Sequence, residues 1–94
     1  MLTHIVSFKY RDDVPEAARA EHRQRLAGLR TIPVVRSLSV GADVVRSPRS
    51  FDTGLVVTFD DRAALDAYAV HADHVPVAQF GAGLSQQIVA VDFE

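Results

Sequence analysis

No cysteine occurs among the 94 residues, which removes both a disulfide framework and a thiolate metal site and leaves stability to packing alone. No apolar run approaches the roughly 20 residues that a membrane span requires. Met1 to His4 lead straight into a strand pattern without the basic, apolar and cleavage segments of a secretory signal, so a cytoplasmic protein is expected. Excess positive charge is missing too. The net charge is -2 and the arginines are scattered, which argues against a nucleic-acid or acidic-membrane partner, since both need a basic face. Internal repeats, linkers and low-complexity segments are likewise absent.

What remains is a globular composition, 48% hydrophobic and 23% charged. The length suits one domain over residues 1–94, and a chain this short buries only ~60 to 65% of its unfolded surface. Little margin is left for a spacious cavity, and a partner subunit would add buried surface.

Leu2 to Tyr10 alternates, with Leu2, His4, Val6, Phe8 and Tyr10 on one face, as a strand requires. Asp13 is placed to cap a helix that Pro15 can open, running to about Arg30 with an inward stripe of Ala18, His22, Leu26 and Leu29. Ile32 before Pro33 ends it. A strand over 34–40, a polar loop over 43–50 and a strand over 51–59 follow. The near-continuous apolar run from Leu55 to Phe59 calls for cover on both faces. Asp60 or Asp61 caps a second helix ending near His71. A further helical piece runs from Val75 to about Gly81, stopped by Gly81 and Gly83. The last strand, 86–93, sets Val89, Val91 and Phe93 against Ile88 and Ala90.

The order β-α-β-β-α-β predicts an α+β fold of ferredoxin-like type, a four-stranded antiparallel sheet with its helices on one face. Ile5, Val56, Val89, Val91 and Phe93 would then crowd the uncovered face. Exposing such a patch is costly at ~25 cal/mol per Å², and a second copy packed sheet to sheet, closing a barrel-like homodimer, resolves it.

His4 to Lys9, Arg49 to Asp52, Phe59, then Tyr68 with His71 and His74, then Val91 to Phe93 together resemble the stress-responsive dimeric α/β-barrel (Dabb) family across nearly the whole chain. The resemblance implies a homodimer of ferredoxin-like subunits, a dimeric α/β barrel, in a family where many members have no established activity. In its plant polyketide cyclase branch a tyrosine and a histidine six residues later form a catalytic pair. By similarity those places fall on Tyr68 and His74, and His4 matches a pocket histidine. Three departures stand out: Thr53 or a neighbour replaces another pocket histidine, Ala72 replaces a frequent proline, and the aromatic residues of the first helix appear as His22 and Leu26.

The expected site therefore has Tyr68 and His74 as catalytic residues, with His4, Val6, Phe8, His22, Leu26 and His71 binding the substrate. Histidine suits removal of a proton next to a carbonyl, because its ordinary pKa lies near 6.5. A tyrosine hydroxyl can hold the resulting enolate oxygen. This leads to a cofactor-independent cyclase, lyase or isomerase acting on a polyketide-like or small carbonyl compound. The alternatives are a non-catalytic homodimer that binds a small apolar ligand or serves stress tolerance, and a cofactor-free monooxygenase. No metal or other cofactor is expected. His71 and His74 are spaced i, i+3 without a third ligand tied to them. Haem, with His74 or His71 as axial ligand, has no attachment motif to support it. The Gly81–Gly83 segment follows a helix instead of opening one, so it is no phosphate loop.

Overall fold

The computed structural model describes residues 1–94. The elements are β1 (Leu2–Tyr10), α1 (Glu16–Gly28), β2 (Ser37–Ala42), β3 (Thr53–Phe59), α2 (Arg62–Ala69), α3 (Val75–Leu84) and β4 (Ser85–Phe93), with a 3-10 turn at Leu29–Thr31. The strands pair antiparallel in the order β2-β3-β1-β4. This is the ferredoxin-like arrangement that the element order predicted.

Cross-strand partners share a face, so the register sorts the side chains. Leu2, His4, Val6 and Phe8 stand beside Phe59, Val57, Leu55 and Thr53 of β3 on the helix side. Leu55, Val57 and Phe59 are buried there, together with Leu26, Leu29 and Ile32. On the other side Ile5 meets Val56 and Val91, and the four residues Val56, Val89, Val91 and Phe93 remain 38 to 54% exposed. The chain covers only one face of β3, so the second cover expected for the Leu55–Phe59 run does not come from within the subunit.

Several boundaries differ from expectation for physical reasons. Asp13 does not cap α1: Pro15 is the N-cap, in extended geometry with no side-chain bond. Arg19 closes this end instead, its Nε donating to the Val14 carbonyl at 3.0 Å. The α-helix stops at Gly28, and the last turn tightens into the 3-10 turn that contains Arg30. Val34 and Val35 are not in β2 but pack against the core from the approach to it. Asp61 caps α2, its carboxylate accepting from the Ala64 N–H at 2.9 Å. That helix ends at Ala69, two residues before the expected His71.

Gly81 and Gly83 do not stop α3, which continues through both to Leu84. Gly81 is there for close approach. A Cβ at this position would lie 2.5 Å from Nε2 of His22, so only glycine lets α3 settle against α1 without displacing the ring. No helix is long and apolar enough to cross a membrane.

Candidate active site

Between the helix side of the sheet and the helices lies a chamber of about 160 Å³. An apolar cavity of roughly 150 Å³ holds benzene, which sets the scale of an occupant. β1 contributes His4, Val6 and Phe8; α1 contributes His22 and Leu26; α2 contributes Tyr68; α3 contributes His74. Leu55, Val77, Ala78 and Ile88 complete the wall. Of these, Ala78 and Ile88 are exposed, which places the mouth between α3 and β4. The two largest hollows lie elsewhere, one of about 440 Å³ on the open sheet face and one of about 580 Å³ beside α2 and the C-terminus. Neither gathers imidazoles and a phenol as the chamber does.

Tyr68 sits on the final turn of α2, facing the sheet, and is 1% exposed. Its ring stands edge-on to Phe59 at 5.0 Å and tilted to His74 at 4.4 Å between centroids. The hydroxyl is buried and has no hydrogen-bond partner. Burial pushes its pKa up to about 12, so it is a proton donor at neutral pH. A buried polar group left unpaired costs about 1 to 3 kcal/mol and calls for an explanation, of which a functional role is one.

His74 stands at the N-terminus of α3, after the turn in which the His74 N–H bonds to the His71 carbonyl at 2.9 Å. Its Nδ1 lies 3.0 Å from the Ala69 carbonyl. A carbonyl only accepts, so Nδ1 carries the hydrogen and Nε2 keeps a lone pair. Burial lowers the His74 pKa, opposed by the Ala69 bond and reinforced by charge on His4 and His71. The ring is a neutral base with its tautomer already set.

His4 is held from the next strand. It pairs across the ladder with Asp92, whose carboxylate accepts from Nδ1 of the ring. His4 also stands edge-on to Tyr68 at 6.2 Å.

His22 reaches the chamber without offering it a nitrogen. It is fully buried, with Nδ1 at 2.7 Å from the Tyr10 hydroxyl, which also bonds Thr53 Oγ1 at 2.8 Å. Nε2 has no partner and faces Gly81. Burial, with Arg23 adding, brings the His22 pKa down to about 4. The ring is therefore a wall of the chamber, edge-on to Phe8 at 4.7 Å.

His71 is not brought to the chamber. It lies on the turn between α2 and α3, where its Nδ1 accepts from the Asp73 N–H at 3.0 Å. Nowhere do three or more His, Asp or Glu side chains gather closely enough to hold a metal ion. Sequence reasoning overlooked Asp92. The alternation of β4 was a usable signal, since Asp92 continues the row of Ile88 and Ala90, but its pairing with His4 required the register. Tyr10 and Thr53 were also missed as anchors of His22, because their contact spans 43 positions of chain.

The family described as the stress responsive A/B barrel domain matches residues 2–94. No curated protein matches the chain in sequence. A dimeric ferredoxin-like protein of unknown function from Thermobifida fusca YX is 27% identical with a TM-score of 0.90, covering 98% of this chain and 88% of its own. A dimeric protein of ferredoxin-like fold and unknown function from Bacteroides fragilis NCTC 9343 is 29% identical with a TM-score of 0.86, covering 99% and 94%. A hydroxynitrile lyase from Passiflora edulis has a TM-score of 0.87, covering 98% and 90%, and at 16% identity shares the fold alone.

Proposed function

The chain belongs to the stress responsive A/B barrel domain family, and on that premise we propose that it is a cofactor-independent lyase, cyclase or isomerase that moves a proton on a small carbonyl compound. The observation that carries this reading is the pairing of a preset base with an unpaired donor. His74 is tied through Nδ1 to Ala69, and the Tyr68 ring packs against it at 4.4 Å between centroids, with its hydroxyl buried and without a partner. A substrate carbonyl entering the chamber would satisfy that hydroxyl as its α-carbon comes within reach of Nε2. The base takes the proton, and the hydroxyl stabilises the charge that develops on oxygen. In an apolar enclosure both effects are stronger than in water.

Size refines the substrate. A chamber of about 160 Å³ takes a single ring or a short branched chain and not an extended polyketide, so the small carbonyl compound is favoured over the polyketide-like one. The functional unit in this reading is a homodimer closed through the open sheet face. Both similar proteins above are dimeric, and the exposed valines and Phe93 supply an apolar surface for such a closure.

Acetophenone, a one-ring methyl ketone, tests the reading. The protein should accelerate exchange of its methyl hydrogens for deuterium from solvent, followed by NMR, and His74→Ala and Tyr68→Phe should each lower the rate at least tenfold. Unchanged exchange in both variants would end it.

A further inference from the structure

β4 turns Ile88, Ala90 and Asp92 toward the helices, because they pair with Phe8, Val6 and His4 of β1 and cross-strand partners share a face. The two ends of this row are filled. Ile88 reaches the chamber beside Phe8, and Asp92 is engaged by His4. Between them Ala90 is exposed and stops at its methyl group, next to Val6 of the chamber wall. α3 presents the facing side. His74, Val77, Ala78 and Gly81 follow the i, i+3, i+4, i+7 spacing of one helical face, and of these only Ala78 is exposed, again ending at a methyl. Apart from Ala78 and Ile88, every side chain of the wall is buried or half-buried. The mouth is thus a slot between two alanines, with Ile88 at one end. It lies on the helix side of β4, so a second copy packed on the opposite face of the sheet leaves it open. Cations are missing along it. α3 carries no ionisable side chain from Val75 to Leu84, neither lysine nor arginine lines the chamber, and the one ionisable group of β4 is the Asp92 carboxylate. An anion entering here would lose its hydration and gain no partner charge.

We infer that this slot is the entrance to the chamber, and that Ala78 and Ala90 are specificity-determining residues that admit small, uncharged ring compounds and leave anions outside. The inference rests on the proton-transfer reading above and names the class of compound that reaches it. The volume of the chamber selects on size, and the slot adds selection on access and charge. A longer side chain at position 78 or 90 would narrow the passage without touching Tyr68 or His74. Its signature is kinetic. A raised barrier slows entry and exit together, so the association rate falls while the affinity stays where the unchanged chamber sets it.

Toluene, an uncharged ring without a carbonyl, probes entry separately from chemistry, by NMR exchange measurements on the full chain read at the methyl signals of Val6 and Leu26. Ala78→Leu and Ala90→Leu should each slow toluene association at least tenfold and leave its Kd within threefold. Gln79→Leu, exposed on α3 but outside the chamber wall, should change neither. Benzoate, close to acetophenone in size but charged, should bind at least tenfold more weakly than acetophenone. Both alanines are exposed, and either variant decides the matter alone if the other does not fold. A wild-type association rate in a folded leucine variant means that ligands enter elsewhere and overturns the proposal. So does a weaker affinity at an unchanged association rate, which puts the leucine inside the chamber. Benzoate binding as tightly as acetophenone overturns the selection on charge. If toluene enters through the slot and the wild type catalyses no acetophenone exchange, the proton-transfer reading falls while the entrance stands as that of a binding site. A wild type that takes up no toluene overturns the entrance, and acetophenone exchange then judges the proton-transfer reading by itself.

Discussion

His22 and Gly81 touch where a side chain at 81 would have to be: a Cβ there would meet Nε2 at 2.5 Å and two ring carbons at 3.1 and 3.3 Å. The imidazole cannot swing aside, being fully buried and tied to Tyr10 at 2.7 Å. Gly81→Ala should therefore destabilise the fold by about 1 to 3 kcal/mol, the usual cost of overpacking, even though alanine is the better helix former. Gly83 has nothing within 4 Å of the same construction, so Gly83→Ala should stabilise by ~0.5 to 1 kcal/mol through helix propensity alone. Thermal melts of the two variants, moving in opposite directions, check the pair.

Tyr68→Phe separates stability from activity. The hydroxyl has no partner in the fold, so its removal breaks no bond and relieves a desolvated group. Urea unfolding should show stability unchanged or raised by about 1 kcal/mol, while acetophenone exchange falls at least tenfold. A loss of more than about 1 kcal/mol would mean that the hydroxyl is bonded after all.

Acid should weaken the fold before the carboxylates titrate. His22 is held at about 4 against an ordinary 6.5, so the unfolded chain binds the extra proton first. Stability from this group is present in full above pH 6.5 and is lost as pH falls toward 4, with a total of roughly 3 kcal/mol. His74 is lowered in the same direction and adds to the slope. Asp52, lowered by the Tyr10 N–H bond and by Arg46 and Arg19 against the opposing effect of its burial, loses its contribution only in the more acid range. Denaturant unfolding at pH 7 and pH 4.5 measures the difference, and equal stability at the two would contradict a neutral buried His22.

Val91 lies in the middle of the open face, paired with Ile5 and 54% exposed. In the proposed homodimer Val91→Lys places a charge where two sheets would meet, and the variant should sediment as a monomer where the wild type sediments as a dimer. A wild type that already sediments as one subunit would remove the dimer.

Much of this molecule could be read from residue order because the two periodicities are local. The alternation of Leu2, His4, Val6 and Phe8 and the stripe of His22, Leu26 and Leu29 identify which side of each element is buried, whatever the rest of the chain does. The uncovered apolar row of β4 announced itself in the same way, as did the Tyr68 and His74 spacing that places both at the α2–α3 turn. Contacts between elements are another matter. That Asp92 faces His4 follows from the β1–β4 register. That Gly81 serves close packing and not termination follows from how near α3 lies to α1, and that His22 turns both nitrogens away from the chamber follows from Tyr10 and Gly81 together. These depend on distances between segments far apart in the chain, which periodicity cannot supply and only the packed fold decides.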